Sequence, residues 1–236
     1  MQLPALIDGV IRRRYKRFLA DVELADGVQV TAHCPNTGSM RTCWQPGARV
    51  QVSHSDNPRR KLAWTLERVD MGGGWIGVHT GRTNEVIGEG LRQGAIAALV
   101  GYGRIRSEVV CPNLELPRSR FDFLLTEGAG PDAWIEVKNV TLYEAGCLQF
   151  PDAVTARGRK HLEVLARLSH QGYRAVMIYA LNRPEGSCFS PADAIDPGYG
   201  MTLRQVIQDA GVEVLALRIR HTTQTMEVAE AVQVVL

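Results

Sequence analysis

Apolar and polar residues alternate in short bursts along the first third of the chain, and the spacing then lengthens. Five alternating runs fall near 17–24, 28–33, 48–53, 62–69 and 74–79. Turn-forming residues separate them: Ala-Asp-Gly at 25–27, Pro35 to Gly38, Gln-Pro-Gly at 45–47, Asp-Asn-Pro at 56–58 and Gly72 to Gly74. Period-two alternation puts successive side chains on opposite faces, so each run predicts a short strand. Five such strands within residues 1–80 suit a small β-barrel of OB type, and an SH3-like barrel fits nearly as well.

After Thr80 the period becomes helical. Val86, Ile87, Leu91, Ala95 and Ala98 predict a helix over 83–99 with Thr83 as its N-cap. A strand at 104–111 follows, then two apolar runs, RFDFLLT (120–126) and AWIEVK (133–138), around a Gly/Pro/Asp-rich turn. A long helix is expected to open at Pro151-Asp152, with Asp152 as N-cap, and to end near Gly172. Its apolar stripe is Val154, Gly158, Leu162, Leu165 and Leu168. The unbroken apolar run RAVMIYAL (174–181) predicts a strand buried on both faces. A helix near 201–210 then leads past Gly211 into the strand VEVLALRIR. The expected fold is two-domain, of α+β and α/β character: an OB-like β-barrel over residues 1–80 and a mixed-sheet α/β domain over 81–236.

Composition narrows the class. With 45% hydrophobic and 22% charged residues the chain is that of a water-soluble globular protein. No apolar run approaches the roughly 20 residues of a membrane span. The basic cluster near the N-terminus follows a short, interrupted apolar stretch, the reverse of a secretory signal. The five cysteines (Cys34, Cys43, Cys111, Cys147, Cys188) include no C-x-x-C pair and are expected as reduced thiols in a cytoplasmic protein.

The net charge of +2 conceals an asymmetry. Residues 1–80 hold 11 Lys/Arg against 7 Asp/Glu, whereas residues 81–236 hold 16 against 18. Arg12, Arg13, Arg14, Lys16 and Arg17 surround Tyr15 and lead into Phe18, and Arg59, Arg60 and Lys61 form a second cluster. Such clusters suit a polyanion, since phosphate neutralisation supplies most non-specific nucleic-acid affinity. A solvated strand edge guarded by cations accounts for them equally well. An oligosaccharide-binding module would want clustered aromatics, and Phe, Trp and Tyr make up only 6% of the chain.

The 120–138 hairpin carries the chemistry. If Asp122 lies opposite Glu136, the connection is Glu127 to Pro131, an ordinary hairpin length. Asp122, Glu136 and Lys138 then share one face, with Phe121, Phe123, Ile135 and Val137 on the other. A hard cation such as Mg²⁺ binds through one or two carboxylates, polarises a phosphate and acidifies a bound water. A nearby lysine steadies the charge that develops. Ordinary surface charge on a half-exposed hairpin is the bland alternative.

Read together, RYKRFLADVEL (14–24), HCPNTGSM (33–40), NPRRKLAWTLE (57–67), SRFDFLL (119–125), IEVKNVTL (135–142), FPDAVTARGRKHLEVL (150–165) and IDPGYG (195–200) resemble the sugar fermentation stimulation protein A family. The order of elements around Asp122 and the E-x-K tripeptide also resembles the core of the PD-(D/E)xK nuclease superfamily. The resemblances imply an OB-like domain, a nuclease-like domain and DNA binding without strong sequence preference. They imply Mg²⁺, or Mn²⁺, at Asp122 and Glu136, with Lys138 as catalytic lysine. A further acid would come from Glu85, Glu89 or Glu108, with Glu108 favoured as metal ligand because its strand should lie beside Asp122. Arg157 and His161, one helical turn apart, become candidates to reach the phosphate or orient a water. Lys160 is left to DNA or solvent. The Pro35–Gly38 loop has the makeup of a tight turn or a backbone anion cradle, and the turn is the simpler reading. The rival function is a non-catalytic DNA-binding regulator linked to sugar metabolism, and a second copy of the chain is a further candidate partner.

Overall fold

A computed structural model describes residues 1–111 and 119–236. The first domain contains β1 (Leu6–Tyr15), β2 (Leu19–Leu24), β3 (Gln29–His33), β4 (Arg49–His54), β5 (Trp64–Asp70) and the short β6 (Trp75–Gly77). β1 pairs with β2 and β4, β4 with β5, and β3 with β2 and, in parallel, with β5. The ring 1-2-3-5-4-1 is therefore closed, which is the OB arrangement and leaves its strands without a free edge. Ile11, Ala20, Val22, Ala32, Val50, Val52 and Leu66 fill it.

One barrel strand is not among the five alternating runs. β1 passes through the basic cluster, and its register slips between Ile11 and Arg13. That bulge breaks the period of two where the arginines begin. Gly9 lets β1 approach β2, since a Cβ there would meet Glu23 O and a Val22 methyl at 2.7 Å. The 74–79 run instead becomes β6, paired to β5 outside the ring.

The second domain comprises α1 (Thr80–Arg92), β7 (Tyr102–Val110), β8 (Arg120–Gly128), β9 (Ala133–Val140), β10 (Leu142–Glu144), β11 (Cys147–Phe150), α2 (Ala156–His170), β12 (Arg174–Leu181), β13 (Cys188–Pro191), α3 (Pro197–Ala210), β14 (Glu213–His221), β15 (Met226–Ala231) and β16 (Gln233–Val234). Its main sheet runs β15-β14-β12-β9-β8-β7, with β9, β12 and β14 parallel and the outer pairs antiparallel. α1 covers one face through Val86, Ile87 and Leu91 against Phe123, Ile135 and Ile178. α2 and α3 cover the other through Leu162, Leu165 and Leu203 against Trp134, Met177 and Tyr179. With helices on both sides, β12 is buried along almost its whole length, which is why its sequence never alternates. The first residues also belong here: Leu3 packs in this core and donates its N–H to Gln224 O at 2.8 Å. No described helix is long and apolar enough to cross a membrane.

Three local expectations are corrected. α1 is capped by His79, which accepts from Arg82 N at 3.3 Å, and the buried Thr83 hydroxyl instead donates to Asn139 Oδ1 at 3.0 Å. α2 is capped by Thr155, which accepts from Gly158 N at 3.0 Å, so Val154 lies outside the stripe and is 69% exposed. Cys147 and Cys188 are joined in a disulfide, not reduced. β11 and β13 pair in parallel with these two residues opposite, Cα to Cα 4.7 Å, across 41 residues of sequence. Cys34 and Cys43 are buried thiols.

Candidate active site

β8 and β9 pair from Leu125–Ala133 to Phe123–Ile135, the register that sets Asp122 against Glu136. The ladder ends there. Asp122 Oδ2 accepts the Val137 N–H at 2.7 Å, a side chain taking the place of a ladder carbonyl. Asn84 of α1 donates to Asp122 Oδ1 at 2.6 Å. With the ladder ended, the alternation fails for one residue: Phe121 packs beside Trp134 on the α2 face, ring centroids 5.7 Å apart, and does not join Phe123, Ile135 and Val137.

Glu136 is 4% exposed. Its Oε1 accepts from Lys138 Nζ and touches His161 Nδ1, while Lys138 Nζ lies 3.5 Å from that same nitrogen. Glu136 Oε2 is buried and has no hydrogen-bond partner among the described residues. The two carboxyls are driven in opposite directions. Burial, and then the charge of Glu136, push Asp122 up to about 6 against the Val137 N–H, Lys138 and Asn84. Burial would raise Glu136 too, but Lys138 and His161 outweigh it and hold that carboxyl below its ordinary value.

Asp122, Glu136, Lys138 and His161 are thus brought together. Arg157 is exposed and lines the same cleft, one turn from His161 on α2. Glu108 is not part of the group. It lies between the Ser107–Phe123 and Val109–Phe121 pairs, so its strand does run beside Asp122. Its backbone is left-handed (φ 55), however, and its half-exposed carboxylate pairs with Arg120 at 2.7 Å. Glu85 pairs with Arg82, and Glu89 with the N-terminal ammonium. No three His, Cys, Asp or Glu side chains gather as a metal-holding set among the described residues. Asn84 escaped sequence reasoning because nothing in the α1 pattern marks one polar position over its neighbours.

A cleft of about 590 Å³ gives access to the site, walled by Lys138, Asn139 and Asn84 on one side and by Asn36, Thr37 and Gly38 of the barrel on the other. The Pro35–Gly38 loop is a turn, with Gly38 N donating to Asn36 Oδ1 at 2.9 Å, but a clamped one. Arg14 Nη2 donates to the carbonyls of Asn36 (2.9 Å) and Gly38 (2.8 Å). From the second domain, Asp152 Oδ2 accepts from Ser39 Oγ at 3.2 Å and Met40 N at 3.1 Å. Asp152 is therefore an interdomain clasp, not a helix cap. A Cβ on residue 38 would lie 2.5 Å from that carboxylate, which is why glycine stands there.

The basic clusters divide by their partners. Arg12 pairs with Glu23 at 2.9 Å, and Arg13 pairs with Asp21 at 2.8 Å over the Tyr15 ring. Arg14 is consumed by the clamp. Among the described residues, no carboxylate pairs with Lys16, Arg17, Arg59, Arg60 or Lys61; Arg60 donates only to Thr65 Oγ1 at 2.6 Å.

A closed OB-type barrel clasped to a mixed-sheet α/β domain, with a buried acid–lysine–histidine group in the cleft between, defines the class of protein. Two family models match in that order: an SfsA N-terminal OB domain over residues 13–78 and a sugar fermentation stimulation protein RE domain over 81–225. The chain belongs to the sugar fermentation stimulation protein family. It is 51% identical over 229 residues to the homologue from Geobacter sulfurreducens (97% of this chain, 96% of that one). It is 53% identical over 228 residues to that from Syntrophotalea carbinolica (95% of each). Among solved structures, Pyrococcus furiosus SfsA in complex with Ca²⁺ superposes with a TM-score of 0.88 at 23% identity, covering 100% of this chain and 98% of that one. The fold is shared.

Proposed function

We propose that this chain binds nucleic acid and hydrolyses phosphodiesters with a divalent cation held by Asp122 and Glu136. Glu136 Oε2 carries the reading: a carboxylate oxygen, buried, without a donor among the described residues, beside a second carboxylate. Such an atom is costly to keep unless a cation completes it. The donor set suits a hard, oxygen-seeking ion, Mg²⁺ or Mn²⁺. That the Pyrococcus furiosus relative was solved with Ca²⁺, another such ion, supports this. When bound, the ion supplies Lewis acidity to the phosphate and acidity to a water.

The chain's own groups do the rest. Lys138 and His161 keep Glu136 ionised, and Asn84 with the Val137 N–H fixes both oxygens of Asp122. Lys138 offers its ammonium to charge developing on phosphoryl oxygens. Arg157, at the cleft, takes a flanking phosphate. Lys16, Arg17, Arg59, Arg60 and Lys61 of the barrel hold the backbone with little sequence preference.

A regulator that binds DNA without cutting it is the second reading, favoured by one fact: no third ligand side chain joins the two carboxylates among the described residues. Purified protein with Mg²⁺ or Mn²⁺ should cleave labelled DNA or RNA, and Lys138→Ala should abolish cleavage while binding persists. Binding without cleavage of any substrate selects the regulator; absence of binding defeats both.

A further inference from the structure

The barrel carries a second concavity, of about 480 Å³, lined by Phe18, Leu19, His33, Arg60, Lys61 and Leu62. Phe18 is 45% exposed at the β1–β2 turn and lines this concavity with Leu19 and Leu62. Lys16 and Arg17 precede it in that turn, and the tip of the β4–β5 loop contributes Arg60 and Lys61. Among the described residues none of these four cations has a carboxylate partner, although Arg12 and Arg13 on the same sheet do. The pocket thus offers a π-face and an apolar floor inside a rim of uncompensated positive charge.

We propose that this pocket is a subsite for an unpaired base of single-stranded nucleic acid, from which the strand continues into the interdomain cleft. The inference rests on the nucleic-acid reading above but not on hydrolysis. Each part of the pocket meets a part of such a ligand: the Phe18 ring meets a base, and the rim meets the flanking phosphates. A duplex hides its base faces in the stack and would leave Phe18 bare. An anionic membrane would also accept an exposed Phe among cations, but it does not use a concave floor.

The second observation is continuity. Arg14 Nη2 donates to Arg17 O at 2.7 Å and to Gly38 O at 2.8 Å, so the turn that presents Phe18 and the loop that walls the cleft share one guanidinium. Cys34 N also donates to Phe18 O at 2.8 Å, fastening the turn to the residue just before that loop. The proposed path of a strand from Phe18 to the cleft runs along this shared scaffold. Arg14 is a positioning residue here, holding both surfaces without needing to touch the strand.

The test uses the full chain in EDTA, which stops cleavage, with a fluorescein-labelled single strand of fifteen thymidines, the matching duplex, and phosphatidylserine vesicles. Wild type should bind the single strand at least about tenfold more tightly than the duplex. Phe18→Ala should weaken the single strand by about tenfold, in line with the loss of one stacked base, and leave the duplex within about twofold. Phe18→Trp should restore affinity, and its fluorescence should fall as the strand is added. Single-strand affinity unchanged in Phe18→Ala, a preference for duplex, or binding to vesicles but not to the strand would each overturn the subsite. Of these, nucleic-acid binding that ignores Phe18 leaves the broader reading standing. Failure to bind any nucleic acid removes both.

Discussion

Val137 donates its backbone N–H to Asp122 Oδ2 at 2.7 Å, so the acid of the site is also the last rung between β8 and β9. The geometry of the candidate site and the strand pairing are one contact. Glu136 and Lys138 flank Val137, and the same bond therefore sets Asp122 against both.

Two substitutions separate the charge of Asp122 from its hydrogen bonds. Asn keeps an acceptor for Val137 N, and Asn84 can turn its amide to meet the new NH₂. Ala leaves the Val137 N–H buried and unpaired. In EDTA at pH 7.5, Asp122→Asn should melt higher than wild type because a buried negative charge beside Glu136 is gone. Asp122→Ala should be less stable than Asp122→Asn by about 1–3 kcal/mol. Equal denaturation midpoints for the two variants would deny the ladder role.

The raised Asp122 pKa has a definite sign. The folded state holds this proton more tightly (about 6) than the unfolded chain does (ordinary value 3.8). Its contribution to stability is full below the unfolded value and is lost as pH rises through the folded one. Metal-free protein should therefore lose stability between about pH 4 and 6 on this account, and Asp122→Asn should lack that slope. Added Ca²⁺ or Mg²⁺ should raise the wild-type melting temperature at pH 7.5, and the increment should fade below about pH 6 as protons compete. A rise that survives in Asp122→Asn would place the ion elsewhere.

Lys138→Ala and Glu108→Gln test which charges matter. The first removes the ammonium from Glu136 and should lower cleavage by about a hundredfold or more. The second disturbs only a half-exposed pair with Arg120, so both cleavage and stability should stay near wild type, within about 0.5 kcal/mol for the latter. Rates measured on one labelled substrate decide it, and an inactive Glu108→Gln would return that acid to the site.

Asp152→Ala should loosen the clasp between domains. Two hydrogen bonds to a carboxylate are lost, at Ser39 Oγ and Met40 N. A cost of about 1–2 kcal/mol is expected. Hydrogen exchange should rise in residues 36–40 before it rises in the barrel strands, and unaltered exchange there would mean that Arg14 alone holds the loop.

Much of this was legible in the chain because it depended on neighbours in sequence. After Arg174 the run AVMIYAL has no charged position, so β12 had to be covered on both faces. The Asp122–Glu136 register, supposed because it leaves an ordinary turn length, is the one the strands adopt. His161 was reachable only through the family resemblance, with Arg157 one helical turn away on the same helix. The misses are equally physical. β1 was hidden by a bulge that breaks alternation inside the basic run, and Phe121 changed faces because the ladder stops at Phe123. Asp152 looks like a helix cap from its neighbours alone, yet Thr155 takes that post.

What the sequence determined by itself was the kind of element at most positions, the two-domain order and the acid–lysine hairpin, since all three are written in periodicities and turns only a few residues long. Tertiary structure alone decided which charges are available. Glu23 and Asp21 neutralise Arg12 and Arg13, four backbone carbonyls absorb Arg14, and Arg120 holds Glu108, while Glu136 Oε2 is left with no donor among the described residues. The Cys147–Cys188 bridge and the Asp152 clasp, closed across 41 and more than a hundred residues, belong to the same category. A charge or a thiol acts through whatever lies within a few ångströms of it, and chain separation says nothing about that distance.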